Sequence, residues 1–385
     1  MPSRGKDDET KEKGYFMALP LDRLRSDVRL FVALVVTLTL IGVIFIYSSS
    51  SIFALEKYGS ASYFLKKQFI YLVPSIGAFF LCALVPLTWW RKNSPWLFLG
   101  SLALTSVTLI PALGVKFHGS HRWLSLFGFS FQPSEILKLF LFMYMGFFLE
   151  RKHDKIKSFL HTYLPLMVIF GITFIILLRQ PDFGSVVTIM TTALMLFFVA
   201  EFRMIYLLVT ALAACPLVVY LIMSKSYRLR RILIFLNPWA DPQGSGFQII
   251  QSLIAIGSGH IWGVGLSNSK QKFFYLPMQH TDFIFPIIAE EVGFAGVMVL
   301  LTLYVLFCFF GMRIAVSLHN PFAFFTSLAY VIFISLQAVI NLMVCSGLLP
   351  TKGLGLPFIS YGGTALMCFW AMVGFIVNSA RAERS

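Results

Sequence analysis

Long apolar segments, separated by short polar ones, recur along the chain from residue 30 to residue 379. Several approach the roughly 20 residues that a helix needs to cross about 30 Å of hydrocarbon. The pattern therefore predicts an all-α polytopic membrane protein with about ten transmembrane helices. We place the spans at about 30–48, 69–87, 96–114, 136–149, 160–178, 185–200, 205–223, 284–310, 323–343 and 362–379.

Three regions follow from these spans: an N-terminal tail at 1–29, a transmembrane domain at 30–379 and a C-terminal tail at 380–385. The first region is polar, carries charges of both signs and lacks a small-residue cleavage site after the first apolar run. The transmembrane domain contains one long extracytoplasmic loop, at about 224–282. Loops longer than roughly 15 residues are usually functional or disordered, and the apolar stretch inside this one favours order.

Composition supports a lipid environment, because 58% of the residues are hydrophobic and only 12% are charged. The bias of Lys and Arg toward the cytoplasm is best satisfied when both termini are cytoplasmic. The net charge of +14 is then explained by topology and anionic lipid headgroups, and we predict no nucleic-acid partner. The five cysteines lie in or beside apolar runs without a CxxC pair, which indicates small core side chains.

The most suggestive polar group is His280-Thr281-Asp282, directly before a long apolar segment. Asp282 could cap the following helix, or it could serve as a general base for a hydroxyl nucleophile at the membrane surface. Glu290 and Glu291 follow in the same helix, where two adjacent acids require buried partners or a water-filled cavity.

Two further charge pairs lie at predicted helix ends. Glu135 and Lys138 have i, i+3 spacing, so they share a helix face and can form an ion pair with either a structural or a functional role. Arg179 and Asp182 flank the end of the fifth span, where snorkelling and helix capping are the simplest explanations.

Several cations lie on the predicted outer side, namely Arg122, Lys270, Lys272 and Lys352. Solvation at the surface explains any one of them. Together, with few acids on that side, they could bind a phosphate or diphosphate group.

The motifs extend over most of the chain and occur in a fixed order. They are Arg122-Trp123 with Gln132-Pro133-Ser134-Glu135 and Lys138, Gln180 to Gly184, Asn237-Pro238 to Gly259, His280 to Phe285 with Glu290-Glu291, and Gly347 to Pro350 with Pro357 to Gly363. In this set the chain resembles the SEDS family, the polytopic shape, elongation, division and sporulation proteins that polymerise peptidoglycan. Residues 268–272 and 350–353 look most like the cell-division branch, and the sporulation branch is similar on these motifs.

The resemblance implies an inverting glycosyl transfer that polymerises lipid II, with the growing glycan on its lipid diphosphate as donor. Asp282 would be the catalytic base, since the attacking sugar hydroxyl must lose a proton. Cations would stabilise the departing diphosphate, and the candidates are Arg122, Lys138, Lys270, Lys272 and Lys352.

The other implied site residues shape the substrate cavity. Glu135 would position Lys138, Gln132 and His280 would line the cavity, and Asp182 would form a secondary site. No cofactor is certain. A divalent cation, Mg²⁺ or Mn²⁺, is compatible with diphosphate chemistry, but the sequence does not identify its ligands.

The implied setting is the bacterial cytoplasmic (inner) membrane at the division septum, with membrane lipids around the helices. The implied partners are a cognate class B penicillin-binding protein, which is a transpeptidase, and other divisome proteins. Two alternatives remain open: a lipid II flippase, and a scaffold that recruits the transpeptidase without chemistry of its own.

Overall fold

The computed structural model describes residues 20–110, 114–117, 120–126, 129–224, 226–244, 246–273 and 276–383. Residues 1–19 of the tail predicted at 1–29, His118-Gly119 and residues 384–385 lie outside this part of the chain. Each predicted span overlaps a helix. The helices are α1 (Leu21–Tyr58), α2 (Tyr63–Leu84), α3 (Leu87–Val107), α4 (Pro133–Arg151), α5 (Leu164–Arg179), α6 (Phe183–Val199), α7 (Met204–Met223), α8 (Ser226–Leu236), α9 (Phe247–Ser258), α10 (Ile284–Val316), α11 (Pro321–Cys345) and α12 (Gly363–Ala382).

Within the described residues, seven helices are long and apolar enough to cross a membrane: α1, α2, α5 with the turn before it, α7, α10, α11 and α12. The shorter apolar helix α6 and the more polar helices α3 and α4 occupy the other three predicted spans. The prediction of a polytopic helical membrane protein is confirmed.

The polar contacts between helix ends divide the molecule into two faces. On one face, which we call the site face, the main-chain N–H of Gln132 donates to Thr364, and Ser360 donates to the Thr281 carbonyl. On the opposite face, Arg91 pairs with Glu150 at 2.7 Å. Consecutive spanning helices run in alternate directions between these faces, so their site-face loops come together.

The structure adds features that the hydrophobic pattern did not predict. Helix α1 begins at Leu21, before residue 30, because its polar first turns extend past the apolar run and Asp27 pairs with Arg313 at 3.1 Å. The segment between α3 and α4 contains a small antiparallel sheet. Its strands, in the order β1-β2-β3, are β1 (Gly114–Phe117), β2 (Ser120–Leu126) and β3 (Phe129–Phe131). Such short strands leave little signal beside membrane helices.

Burial separates central helices from peripheral ones. In the most apolar part of each helix, 83% of α12 and 67% of α11 are buried within the protein, against 6% of α7. Helices α11 and α12 therefore form the centre of the bundle, and α7 exposes its apolar surface to lipid.

Helix α10 is interrupted at Gly293, where φ is 65° and ψ is −169°. The carbonyls freed near the interruption are satisfied by the loop after α9, since Val264 and Gly265 donate their N–H groups to Glu290 and Glu291 at 3.0 and 3.1 Å. A Cβ at Gly263 would lie 2.2 Å from the Glu291 carbonyl oxygen, so this contact requires glycine. The loop is thereby fixed against the half of α10 nearer the site face.

Candidate functional site

Asp282 lies on the site face at the entry to α10, but it does not cap that helix. The N-cap residue is Phe283, which makes no side-chain capping bond. The Asp282 main-chain carbonyl accepts a hydrogen bond from the Asn341 amide at 2.8 Å, which fixes the backbone. Its carboxylate accepts no hydrogen bond from any residue in the described ranges. Its oxygens remain available to a ligand.

The surroundings of the Asp282 carboxylate are apolar on one side and cationic on the other. Burial raises its pKa from 3.8 to about 6, and the charges of Arg231 and Arg122 oppose that rise. A Cβ built on Gly353 would lie 3.4 Å from Oδ2, so Gly353 leaves the approach to the carboxylate narrow but open. A base with a pKa near neutrality suits proton abstraction from a hydroxyl.

Both arginines donate hydrogen bonds to main-chain carbonyls. The Arg122 guanidinium donates from Nε to the Gln180 carbonyl at 2.7 Å and from Nη2 to the Pro181 carbonyl. Arg231 donates to the Thr351 carbonyl at 3.1 Å. Arg122 was among the predicted cations, whereas Arg231 was missed. Its signal was the basic run Arg228 to Arg231 in the long loop, which forms part of α8.

The segment after α11 wraps around residues 280–282. Ser360 donates to the Thr281 carbonyl at 2.6 Å, and the Tyr361 N–H donates to the His280 carbonyl at 3.0 Å. This path brings Lys352 to the site, where partial burial lowers the pKa of its ammonium group. Lys352 directly precedes Gly353, whose main chain lies beside the Asp282 carboxylate.

His280, two residues before Asp282, belongs to an aromatic cluster. Its ring lies 4.3 Å from the Phe64 centroid, 5.8 Å from Phe53 and 5.9 Å from Tyr361. Burial and the nearby charge of Lys57 lower the pKa of His280 to about 4. The imidazole is therefore neutral at neutral pH and offers an uncharged, ring-lined surface.

Glu135 and Lys138 form the predicted ion pair, 2.6 Å apart, deep in the bundle. Lys138 is 0% exposed, and its ammonium group lies 5.4 Å from the centroid of the Phe333 ring in α11. No direct contact among the described residues joins this pair to Asp282.

Gln132 and Asp182 have structural partners. Asp182 caps α6, because its carboxylate accepts from the Ser185 N–H at 3.2 Å and from the Ser185 hydroxyl at 2.8 Å. This is the capping role that the sequence allowed, and a secondary substrate site at Asp182 stays a prediction. Gln132 donates its side-chain amide to Ser134 at 3.0 Å and lies at the start of α4.

Lys272 is buried beside an acid, and its role in binding a phosphate group stays a prediction. It is 3% exposed and lies 3.6 Å from Glu291, whose carboxylate also accepts from the Ser48 hydroxyl at 2.6 Å. Glu290 accepts from the Lys270 N–H at 2.9 Å. The expectation that the two adjacent acids need buried partners is confirmed, and Lys270 keeps an exposed side chain.

The residues around Asp282 do not form a protein cage for a divalent cation. Within the described ranges, no three side chains of the His, Cys, Asp and Glu types come together as metal ligands. The one carboxylate of the site faces two guanidinium groups, and this donor set favours an anionic ligand over a metal.

The fold defines an integral membrane protein whose site face holds the Asp282 carboxylate, without a hydrogen-bond partner among the described residues, near the charges of Arg231 and Arg122. The profile of the FtsW, RodA and SpoVE family, described as "Cell cycle protein", matches residues 28–385. The chain belongs to this family, which confirms the resemblance drawn from the motifs.

Two relatives show how broad the similarity is. The chain is 40% identical over 349 residues to the probable peptidoglycan glycosyltransferase FtsW of Geobacter sp. (strain M18), covering 91% of this chain and 95% of the relative. It is 38% identical over 355 residues to stage V sporulation protein E of Bacillus subtilis (strain 168), covering 92% and 97%.

Solved structures agree on the fold. A chain from the structure described as "Structural coordination of polymerization and crosslinking by a peptidoglycan synthase complex" superimposes with a TM-score of 0.75 at 29% identity, covering 92% of this chain and 97% of that one. The rod shape determining protein RodA of Thermus thermophilus gives a TM-score of 0.67 at 24% identity with the same coverage.

Proposed function

We propose that this protein is a peptidoglycan glycosyltransferase that polymerises lipid II into glycan strands at the outer face of the bacterial cytoplasmic membrane, for septal wall synthesis. The observation that carries the proposal is the Asp282 carboxylate, which has no hydrogen-bond partner among the described residues and has a pKa raised to about 6. The names of the FtsW relatives support the same reaction.

Asp282 accepts the proton of the attacking sugar hydroxyl. As that proton leaves, the hydroxyl oxygen bonds to the anomeric carbon of the donor, and the bond from this carbon to the diphosphate oxygen breaks. The electron pair leaves with the diphosphate. One displacement of this kind inverts the anomeric configuration, in contrast to a double displacement through a glycosyl-enzyme.

Arg122 and Arg231 stabilise the diphosphate as negative charge develops on it. Both are already held by main-chain carbonyls, so they require little reorganisation when the bond breaks. Lys352 adds a third cation, and its lowered pKa reflects the burial that would strengthen its attraction to an anion. A divalent cation held largely by the substrate diphosphate stays a prediction.

The setting also belongs to the proposal. Both termini lie in the cytoplasm, so the site face is the outer face, and Arg91 and Arg313 lie on the cytoplasmic side, as the distribution of Lys and Arg favours. The partners are a cognate class B penicillin-binding protein and other divisome proteins. The similarity to a chain of a peptidoglycan synthase complex supports a transpeptidase partner.

The test is polymerisation of lipid II by the purified protein with its transpeptidase partner in liposomes. We expect Asp282→Asn to lower the rate by about 10² to 10⁴, the usual contribution of a general base. The wild-type rate should rise with pH and level off above about 6, because only the ionised carboxylate accepts the proton.

The matched control is Asp241→Asn, which removes a carboxylate from the same loop, where Asp241 pairs with exposed Arg230 at 2.9 Å. It should leave the rate and the pH profile unchanged. Polymer formation by Asp282→Asn at the wild-type rate would remove Asp282 as the base. A wild-type protein that moves lipid II or recruits its partner without forming glycan would exclude the polymerase.

A further inference from the structure

The turn between α1 and α2 presents two cations that aromatic rings hold in place. The Lys57 ammonium group lies 5.3 Å from the centroid of Phe53, and the Lys67 ammonium group lies 4.6 Å from that of Tyr63. Tyr58 and Tyr63 stack against each other at 3.9 Å with an interplanar angle of 6°. The rings orient both ammonium groups without neutralising them.

Neither lysine forms an ion pair with an acid among the described residues. Among the residues that the structure describes, no carboxylate forms an ion pair with Lys57 or Lys67, and the neighbouring Glu56 is no exception. Lys57 is exposed and Lys67 is partly exposed. Both charges are therefore available to an anion on the site face.

The turn is connected to Asp282 through ring contacts. Phe53, the ring beneath Lys57, stacks on His280 at 5.8 Å, and Phe64 lies 4.3 Å from His280. His280 precedes Asp282 by two residues. A series of ring contacts thus runs from His280, close to Asp282 in the chain, to Phe53 beneath Lys57.

The proposed reaction joins two molecules that each carry a lipid diphosphate. The donor diphosphate is bonded to the carbon under attack, so it belongs beside Asp282, where Arg122 and Arg231 lie. The acceptor diphosphate is separated from the attacking hydroxyl by the sugars of the acceptor. It requires a second group of cations farther away, with a surface between on which sugar rings can stack.

We propose, resting on the proposed function, that the α1–α2 turn is the acceptor subsite. The ammonium groups of Lys57 and Lys67 bind the acceptor diphosphate. The partly exposed rings of Phe53 and His280 contact its sugars, and the buried Phe64 ring supports them. The neutral imidazole of His280 suits this role, because a charged ring would repel the cations beside it.

An apolar cavity of about 320 Å³ begins beside the aromatic cluster. Ile70, Tyr71 and Pro74 of α2 line one wall, and Thr364 and Met367 of α12 line another. The Tyr71 ring lies 6.3 Å from the Tyr361 ring of the cluster, so the cavity continues from the subsite into the membrane-facing part of the bundle. It receives the first part of the acceptor's polyprenyl tail.

The test measures binding and kinetics on the same variants. Full-length protein in phosphatidylcholine nanodiscs is titrated with a labelled polyprenyl diphosphate, and the number of bound equivalents is counted. We expect two equivalents for wild type and one for Lys57→Ala/Lys67→Ala. With lipid II as substrate, this double variant should raise KM about tenfold or more with kcat unchanged, as expected for loss of charge-assisted contacts.

Lys66→Ala is the matched control, since Lys66 is an exposed lysine on the same turn without a ring contact among the described residues. It should keep two equivalents and the wild-type KM. Two equivalents and an unchanged KM in the double variant would overturn the subsite. So would loss of the second equivalent in phosphatidylglycerol nanodiscs, which would identify a site for ordinary anionic headgroups. A wild type that forms no glycan refutes the polymerase, and the binding count still decides the subsite.

Discussion

The acids at the entry to α10 and inside it differ in whether their carboxylates accept hydrogen bonds from the protein. Within α10, Glu290 and Glu291 are each 1% exposed and accept several hydrogen bonds from the loop after α9 and from α1. The carboxylate of Asp282, at the entry to the same helix, accepts none from the described residues, and its pKa is raised to about 6. The sequence spacing of the three acids does not distinguish them. Their partners do.

The difference shows what makes a carboxylate available for chemistry. A carboxylate oxygen that already accepts hydroxyl and backbone hydrogen bonds has few lone pairs left for a substrate. Glu290 and Glu291 therefore fix the loop at 263–272, while Asp282 remains open to a hydroxyl proton. Gly293 belongs to the fixed region, because its backbone conformation allows the loop and the helix to pair.

The largest expected effect comes from removing the acidic partner of Lys272, which tests whether the Glu290 and Glu291 contacts stabilise the fold. Glu291→Gln leaves a buried ammonium group without its acid, and we expect a loss of about 3 to 5 kcal/mol in the free energy of unfolding. Thermal unfolding in detergent measures the effect. Arg230→Met, in an exposed pair, should cost no more than about 1 kcal/mol. A Glu291→Gln variant as stable as wild type would show that the network is not structural.

Substitutions in the Glu135–Lys138 pair test whether a buried ion pair also affects the reaction. Glu135→Gln and Lys138→Met should each cost about 3 kcal/mol, the lower end for a broken buried pair, because Glu135 keeps slight exposure. Both should also lower the polymerisation rate. The exchanged pair Glu135→Lys/Lys138→Glu should recover part of the stability and of the rate. Full activity in both single variants would discard any role of the pair in the reaction.

The smallest expected effect is a gain in stability at Asp282 itself. Folding raises the pKa of this group from 3.8 to about 6, so its stabilising contribution is complete below the lower value and is lost as pH rises through the upper one. Asp282→Asn removes this pH-dependent loss of stability, because the asparagine side chain does not ionise. Above neutral pH the variant should be more stable than wild type by at most about 2 kcal/mol, reduced by the partial exposure of the side chain.

The measurement is thermal unfolding of both proteins across this pH range. The difference should vanish in acid, where both side chains are neutral. Asp182→Ala provides the contrast, since it removes the cap of α6 and should lower stability at neutral pH. A destabilised Asp282→Asn at neutral pH would place Asp282 with the structural acids.

Much of the architecture was predictable because hydropathy acts locally. Each predicted span overlaps a helix, since the run of apolar residues that must avoid water is continuous along the chain. The Glu135–Lys138 pair was predictable for the same reason, as residues with i, i+3 spacing meet on any helix. The sheet formed by β1, β2 and β3 was not, because its short strands depend on contacts with each other.

From the sequence alone it was possible to predict a membrane protein, its approximate spans and its family motifs, and to name a few polar residues as candidates for the functional site. Only the tertiary structure decided between Asp182, which caps a helix, and Asp282, which has open oxygens, although both precede apolar helices. It also shows that Lys272 is buried beside Glu291 and that Arg231 lies near Asp282. The physical reason is that the state of a charged group depends on partners and desolvation supplied by residues far away in the chain, whereas helix formation in lipid depends on neighbours along it.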